Sequence, residues 1–248
     1  MGIGGTIVLL VLGLLFGKDF IGNGDSGLPQ TQTSNGEVGP IQQSPDEEHL
    51  ARFVNYIVGD IQDSTWQKIL PGYRDATLVL YRDMTPTACG IGAAVAGPFY
   101  CPSDQKVYVD LSFYDELKQR FGASGEFAEA YVLAHEFGHH VQHLLGIDVQ
   151  LRRATANENA KSIQLELQAD CFAGVWGNSA NQRGKLDPGE MEQGLRAASA
   201  IGDDNIQRQM TGVVRPESFT HGTAVQRSAA LRRGLESGDP KQCQIGTF

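Results

Sequence analysis

The stretch that most restricts this chain is His135-Glu136-Phe137-Gly138-His139. Around it Phe127, Tyr131, Ala134, Phe137, Gly138, Val141 and Leu145 recur at three- and four-residue steps, the period of an amphipathic helix. Gly125-Glu126 marks its start and Gly146 its end. On such a helix positions i and i+4 project from one face, so His135 and His139 point into the same space. Two imidazoles so placed can grip one Zn²⁺, with the nitrogens about 2.0–2.1 Å from the ion. Glu136, one residue along, is placed to take a proton from water that such an ion activates.

Zinc in a hydrolase usually takes three protein ligands and leaves a fourth position open. His140 points about 100° away from His139, and His143 lies a rise of about 12 Å beyond His135, so neither can complete the set. The pattern His-Glu-x-x-His-x-x-Gly-x-x-His also fails, because Gln142 stands at its glycine and Leu145 at its third histidine. A second helix, Asn157 to Gly177, offers more. Glu166 and Asp170 lie four residues apart on one face of it, among Leu167, Ala169, Cys171 and Phe172. Two acids on a mostly apolar helix are costly unless they are paired or bind metal. The economical assignment makes Glu166 the third ligand and Asp170 the acceptor that orients one of the histidines.

The chain has 248 residues and a net charge of −9, which argues against nucleic acid as a partner; Arg152-Arg153 and Arg232-Arg233 read as solvated helix ends. Residues 3–16 are apolar or glycine and are closed by Lys18-Asp19. As a helix that run spans roughly 21 Å, short of the ~30 Å hydrocarbon core, so residues 1–21 read as a membrane anchor finished by its flanks, or as a signal-like segment. Residues 22–45 are rich in Gly, Gln, Ser, Thr and Pro and read as a flexible linker. Residues 46–248 are long enough for one domain with its own core. Four cysteines in an exported domain favour disulfides, and three connectivities are open; Cys89 could pair locally with Cys101, leaving Cys171 for Cys243.

Asp46 to Leu70 reads as a long helix stopped by Pro71-Gly72. Thr77–Tyr81, Ile91–Ala96 and Lys106–Leu111 read as strands, and 191–201 and 224–235 as helices. The implied architecture is α+β, mostly helical, with a small sheet beside the His135–His139 helix. An exposed edge of that sheet could pair with an extended peptide.

Several stretches together resemble the bacterial neutral zinc metallopeptidases, gluzincin-like proteins with an N-terminal membrane anchor. They are Ala88-Cys89-Gly90, Gly97–Pro102, Val107–Tyr114, Ala134–Gln142, Leu165–Trp176 and Ser218–Gly222. The chain departs from that pattern at its start, which opens on Met1-Gly2-Ile3-Gly4-Gly5 without a basic segment. The resemblance implies a zincin-like domain, one catalytic zinc, a polypeptide substrate and a membrane-tethered protein whose domain faces the periplasm or cell exterior. Rival readings are a non-peptidase zinc amidase of the cell envelope and a non-catalytic envelope scaffold; the intact Glu136 speaks against the last. His221 is the candidate donor to the oxyanion that forms when an amide is attacked, against the plainer reading of a capping or packing histidine.

Overall fold

The computed structural model describes residues 45–93, 97–110, 112–113, 126–154 and 157–244. The apolar run 3–16 and the linker up to residue 44 fall outside them. No helix among the described residues is long and apolar enough to cross a membrane.

Helix α1 (Pro45–Ile61) continues through a π-helical turn, Gln62–Trp66, into a last turn, Gln67–Ile69. The wider turn buries Gln62, Thr65 and Trp66 together. Gln62 then accepts hydrogen bonds from the Ala76 N–H at 2.7 Å and the Tyr73 hydroxyl at 3.2 Å, which pins the turn to the sheet. Trp66 meets Phe172 edge to face.

Among the described residues five short strands follow: β1 (Thr77–Tyr81), β2 (Met84–Thr87), β3 (Gly90–Ala93), β4 (Phe99–Cys101) and β5 (Lys106–Asp110). They form a sheet in the order β1-β5-β4 and a separate β2-β3 hairpin. β5 runs parallel to β1, with Leu78 opposite Val107 and Leu80 opposite Val109, and antiparallel to β4, with Tyr100 opposite Val107. The strand read from the alternating Val107 and Val109 is therefore interior. β4, three residues long and invisible to periodicity, forms the edge nearest the next helix. A disulfide joins Cys101 on β4 to Cys89 at the hairpin turn.

The regular elements that follow among the described residues are helical: α2 (Glu126–Leu145), α3 (Ile147–Ala154), α4 (Glu158–Gln182), α5 (Glu190–Ala200), α6 (Asp203–Thr211) and α7 (Ala224–Ser237), closed by a 3₁₀ turn at Pro240–Cys243. The α+β, mostly helical expectation holds. α4 starts at the Asn157 cap and runs five residues past the expected Gly177, because Gly177 packs against Leu235 and Phe127 instead of ending the helix. α7 is opened by a reciprocal cap between Thr223 and Gln226. Leu133, Phe137, Phe172, Val175, Trp176 and Leu231 fill the core between α1, α2, α4 and α7. A second disulfide ties Cys171 on α4 to Cys243.

Candidate metal centre

α2 and α4 cross where Gly138 lies over Ala169. A Cβ on Gly138 would sit 2.9 Å from the Ala169 carbonyl oxygen and 3.0 Å from its Cα, so only a glycine lets the helices approach this far. The approach brings the α2 face of His135 and His139 against the α4 face of Glu166 and Asp170. Nε2 of His135 is 3.1 Å from one Glu166 oxygen, and Nε2 of His139 is 3.5 Å from the other. One donor atom from each of the three residues lies within 4.8 Å of the other two. Tetrahedral coordination at about 2.0–2.2 Å places neighbouring ligand atoms roughly 3.3–3.5 Å apart, so the trio has the spacing and the nitrogen and oxygen donors that Zn²⁺ requires.

The far side of each imidazole is occupied. Nδ1 of His135 donates to Asp170 at 2.8 Å. Asp170 is fully buried and also accepts from the Tyr131 hydroxyl at 2.6 Å and from Arg227 at 2.9 Å on each oxygen. Nδ1 of His139 meets Oε1 of Gln142 at 2.9 Å. The Gln142 amide donates in turn to the Leu165 carbonyl and to Gln168, and Gln168 donates to the Cys243 carbonyl. Both histidines thus hold a proton on Nδ1 and present Nε2 to the site, the tautomer that metal binding needs.

Burial works against charge on His135, but Asp170 and Glu166 outweigh it and push its pKa up to about 10. His139 is raised for the same reason, Glu166 overcoming burial. Burial would raise Glu166, yet the neighbouring charges of His139 and His221 and the histidine hydrogen bonds keep it well below the usual carboxylate range. The cluster therefore demands positive charge, as a cation site should.

Glu136 is buried beside the trio. Burial raises its pKa, the His135 and His139 charges lower it, and a backbone hydrogen bond from Tyr100 on β4 holds its carboxylate. His221 stands in the loop before α7, near enough for its charge to act on Glu166. Its Nδ1 is 3.1 Å from Asp203, whose other oxygen accepts the backbone N–H groups of Thr220, His221 and Gly222. With Nδ1 engaged, Nε2 is the ring atom of His221 that accepts or donates no hydrogen bond among the described residues. The two histidines set aside by geometry do lie elsewhere. His140 is fully buried, donates to the Arg74 carbonyl at 2.6 Å and meets the Tyr100 hydroxyl at 3.0 Å; burial lowers its pKa. His143 faces Asp148 at 3.7 Å.

All 248 residues match the family model described as "Putative neutral zinc metallopeptidase". The chain belongs to the neutral zinc metallopeptidase family. Among its relatives, "Uncharacterized protein YpfJ" of Escherichia coli (strain K12) is 47% identical over 248 residues, covering 96% of this chain and 85% of the relative. "Uncharacterized protein Rv2575" of Mycobacterium tuberculosis (strain ATCC 25618 / H37Rv) is 40% identical over 196 residues, covering 75% and 67%. No solved structure matches the chain.

Four residues around the centre carry no helical-spacing signal of that role in the sequence. Tyr131 reads as one of the apolar-face residues of α2. Gln142 stands where another zinc pattern has its glycine and closes the stretch Ala134–Gln142, with no role of its own implied. Arg227 reads as one residue of the helix at 224–235. Asp203 opens a helix that periodicity did not reveal, although Gly202-Asp203-Asp204 is an acidic helix start in itself.

Proposed function

We propose that the protein is a zinc-dependent endopeptidase in which His135, His139 and Glu166 hold the ion. The observation that carries this reading is the convergence of those three donors beside the buried Glu136. Bound there, zinc would supply a Lewis acid that brings the pKa of water down to about 7 and polarises the carbonyl under attack. Glu136 takes the proton from the attacking water and returns it to the departing amine nitrogen. Burial raises its pKa, which suits that exchange, because too acidic a carboxyl leaves a carboxylate too weak as a base to take the proton from water. His221, oriented by Asp203, serves the oxyanion through Nε2. Asp170 orients His135.

The site of action we infer is the outer side of a bacterial membrane, with residues 1–21 as the tether and 22–45 as the linker to a domain at 46–248. Support comes from the two disulfides, which persist in oxidising compartments, and from the apolar run at 3–16. Zinc-loaded protein assayed against an unfolded polypeptide, peptidoglycan fragments and simple esters tests the substrate class. Cuts at internal peptide bonds of the polypeptide are expected. Turnover of the peptidoglycan fragments alone would instead establish an envelope amidase.

A further inference from the structure

α7 contributes no ligand, yet it closes the network behind His135. It runs parallel to α4, since contacts advance in step along both helices: Arg227 beside Asp170, Leu231 beside Gly174, Leu235 beside Asn178. A Cβ on Gly174 would collide with the Leu231 carbonyl, and one on Gly234 with the Cys171 carbonyl, so the pair packs backbone against backbone. Gly174 lies four residues after Asp170, and Gly234 seven after Arg227. The glycine contact and the ion pair therefore share one face on each helix. The close approach is what allows a guanidinium rooted in α7 to lie flat against a carboxylate rooted in α4.

The ion pair is fully enclosed: the Arg227 side chain is 4% exposed and that of Asp170 0%. Nε of Arg227 is 2.9 Å from Oδ2, and Nη2 is 2.9 Å from Oδ1. The remaining donors reach the Tyr131 hydroxyl at 3.4 Å and the Ile201 carbonyl at 3.3 Å. Oδ1 is also the atom that accepts from His135, so the fork sets the plane of the carboxylate that in turn sets the plane of the imidazole.

We propose that Arg227 is a positioning residue for the metal centre, acting through Asp170 to fix the orientation and tautomer of His135. The proposal rests on the reading of His135, His139 and Glu166 as a zinc site. Arg227→Lys keeps the charge and loses the two-pronged geometry. In the full chain, with both disulfides intact and a parent-like far-UV circular dichroism spectrum, the variant should bind zinc about 10–100-fold more weakly in chelator competition, the scale of loss typical for groups that orient a ligand. Its cobalt(II)-substituted form should show a shifted visible absorption spectrum, which reports ligand geometry and not stability. In an Asp170→Asn background the lysine substitution should add no further loss. Should the single variant fail to fold, Asp170→Asn with Arg227→Gln, compared with Asp170→Asn alone, reads the same coupling. Equal zinc affinity supports the proposal, and a further tenfold loss contradicts it. A parent that binds zinc and a folded Arg227→Lys within twofold of it, with an unchanged cobalt spectrum, would overturn the positioning role and leave the site standing. A parent that binds no zinc would overturn the site itself.

Discussion

Glu166 and His143 are the residues on which local reasoning and proximity disagree. His143 is close to His139 in sequence, but a helix rises too far between His135 and His143 for one ion to reach both. The structure places His143 against Asp148 and Glu166 against both His135 and His139. Glu166→Ala should therefore strip zinc from the protein while His143→Ala retains it, as metal analysis after dialysis will report. Asp170 yields a pH prediction. Burial would raise its pKa, but Arg227 and His135 outweigh burial and hold it at about 2 against an ordinary 3.8. A carboxylate depressed in this way stabilises the fold above about pH 3.8 and loses that contribution as pH falls through about 2. Metal-free protein should thus lose stability over that window, and Asp170→Asn should show a shallower slope there; equal slopes would contradict the assignment. His135, Glu136, His139, Glu166 and Asp170 were legible because i, i+1 and i+4 spacings encode a shared helix face. Arg227 and Asp203 were not, because their partners lie 57 and 18 residues away and no spacing rule spans such distances.

Between elements, the decisive contact is the crossing of α2 and α4 at Gly138. Any side chain there must push the Ala169 backbone away, and that backbone sits between Glu166 and Asp170. Gly138→Val is expected to cost roughly 1–3 kcal/mol of stability by overpacking and to lower zinc occupancy with it. Thermal melting and zinc content measured together check this; a variant with parental zinc affinity would show that the separation of the helices is not what positions the ligands. The long helices could be read from their 3.6-residue period and their caps. The short elements could not. β4 has three residues, too few to alternate. α3 and α6 have eight and nine residues and are ordered by what they pack against. The parallel pairing of β1 with β5 is likewise a tertiary fact, set by a crossover through the hairpin and β4.

Across the whole molecule, the C-terminal tail is bound into the centre by the Cys171–Cys243 disulfide, which spans 72 residues. A loop of that size corresponds to about 4 kcal/mol in chain-entropy terms. The Cys243 carbonyl also receives Gln168, which is bonded to Gln142, which holds His139. Reduction should lower the melting temperature and loosen zinc together. Thiol counting on protein isolated from cells under alkylating conditions should find no free thiols; four would contradict both bridges and the exported location proposed from them.

The proposed chemistry converges on one carboxylate, since the same centre without Glu136 as a base would be a metal site and nothing more. Zinc content and hydrolysis of an unfolded polypeptide, measured side by side on the parent and on Glu136→Gln, are the most direct test. One zinc per chain is expected in both proteins, with hydrolysis in the parent alone, because the amide cannot accept the proton from water. Parental activity in the variant, or a parent that cleaves while holding no zinc, would contradict the account.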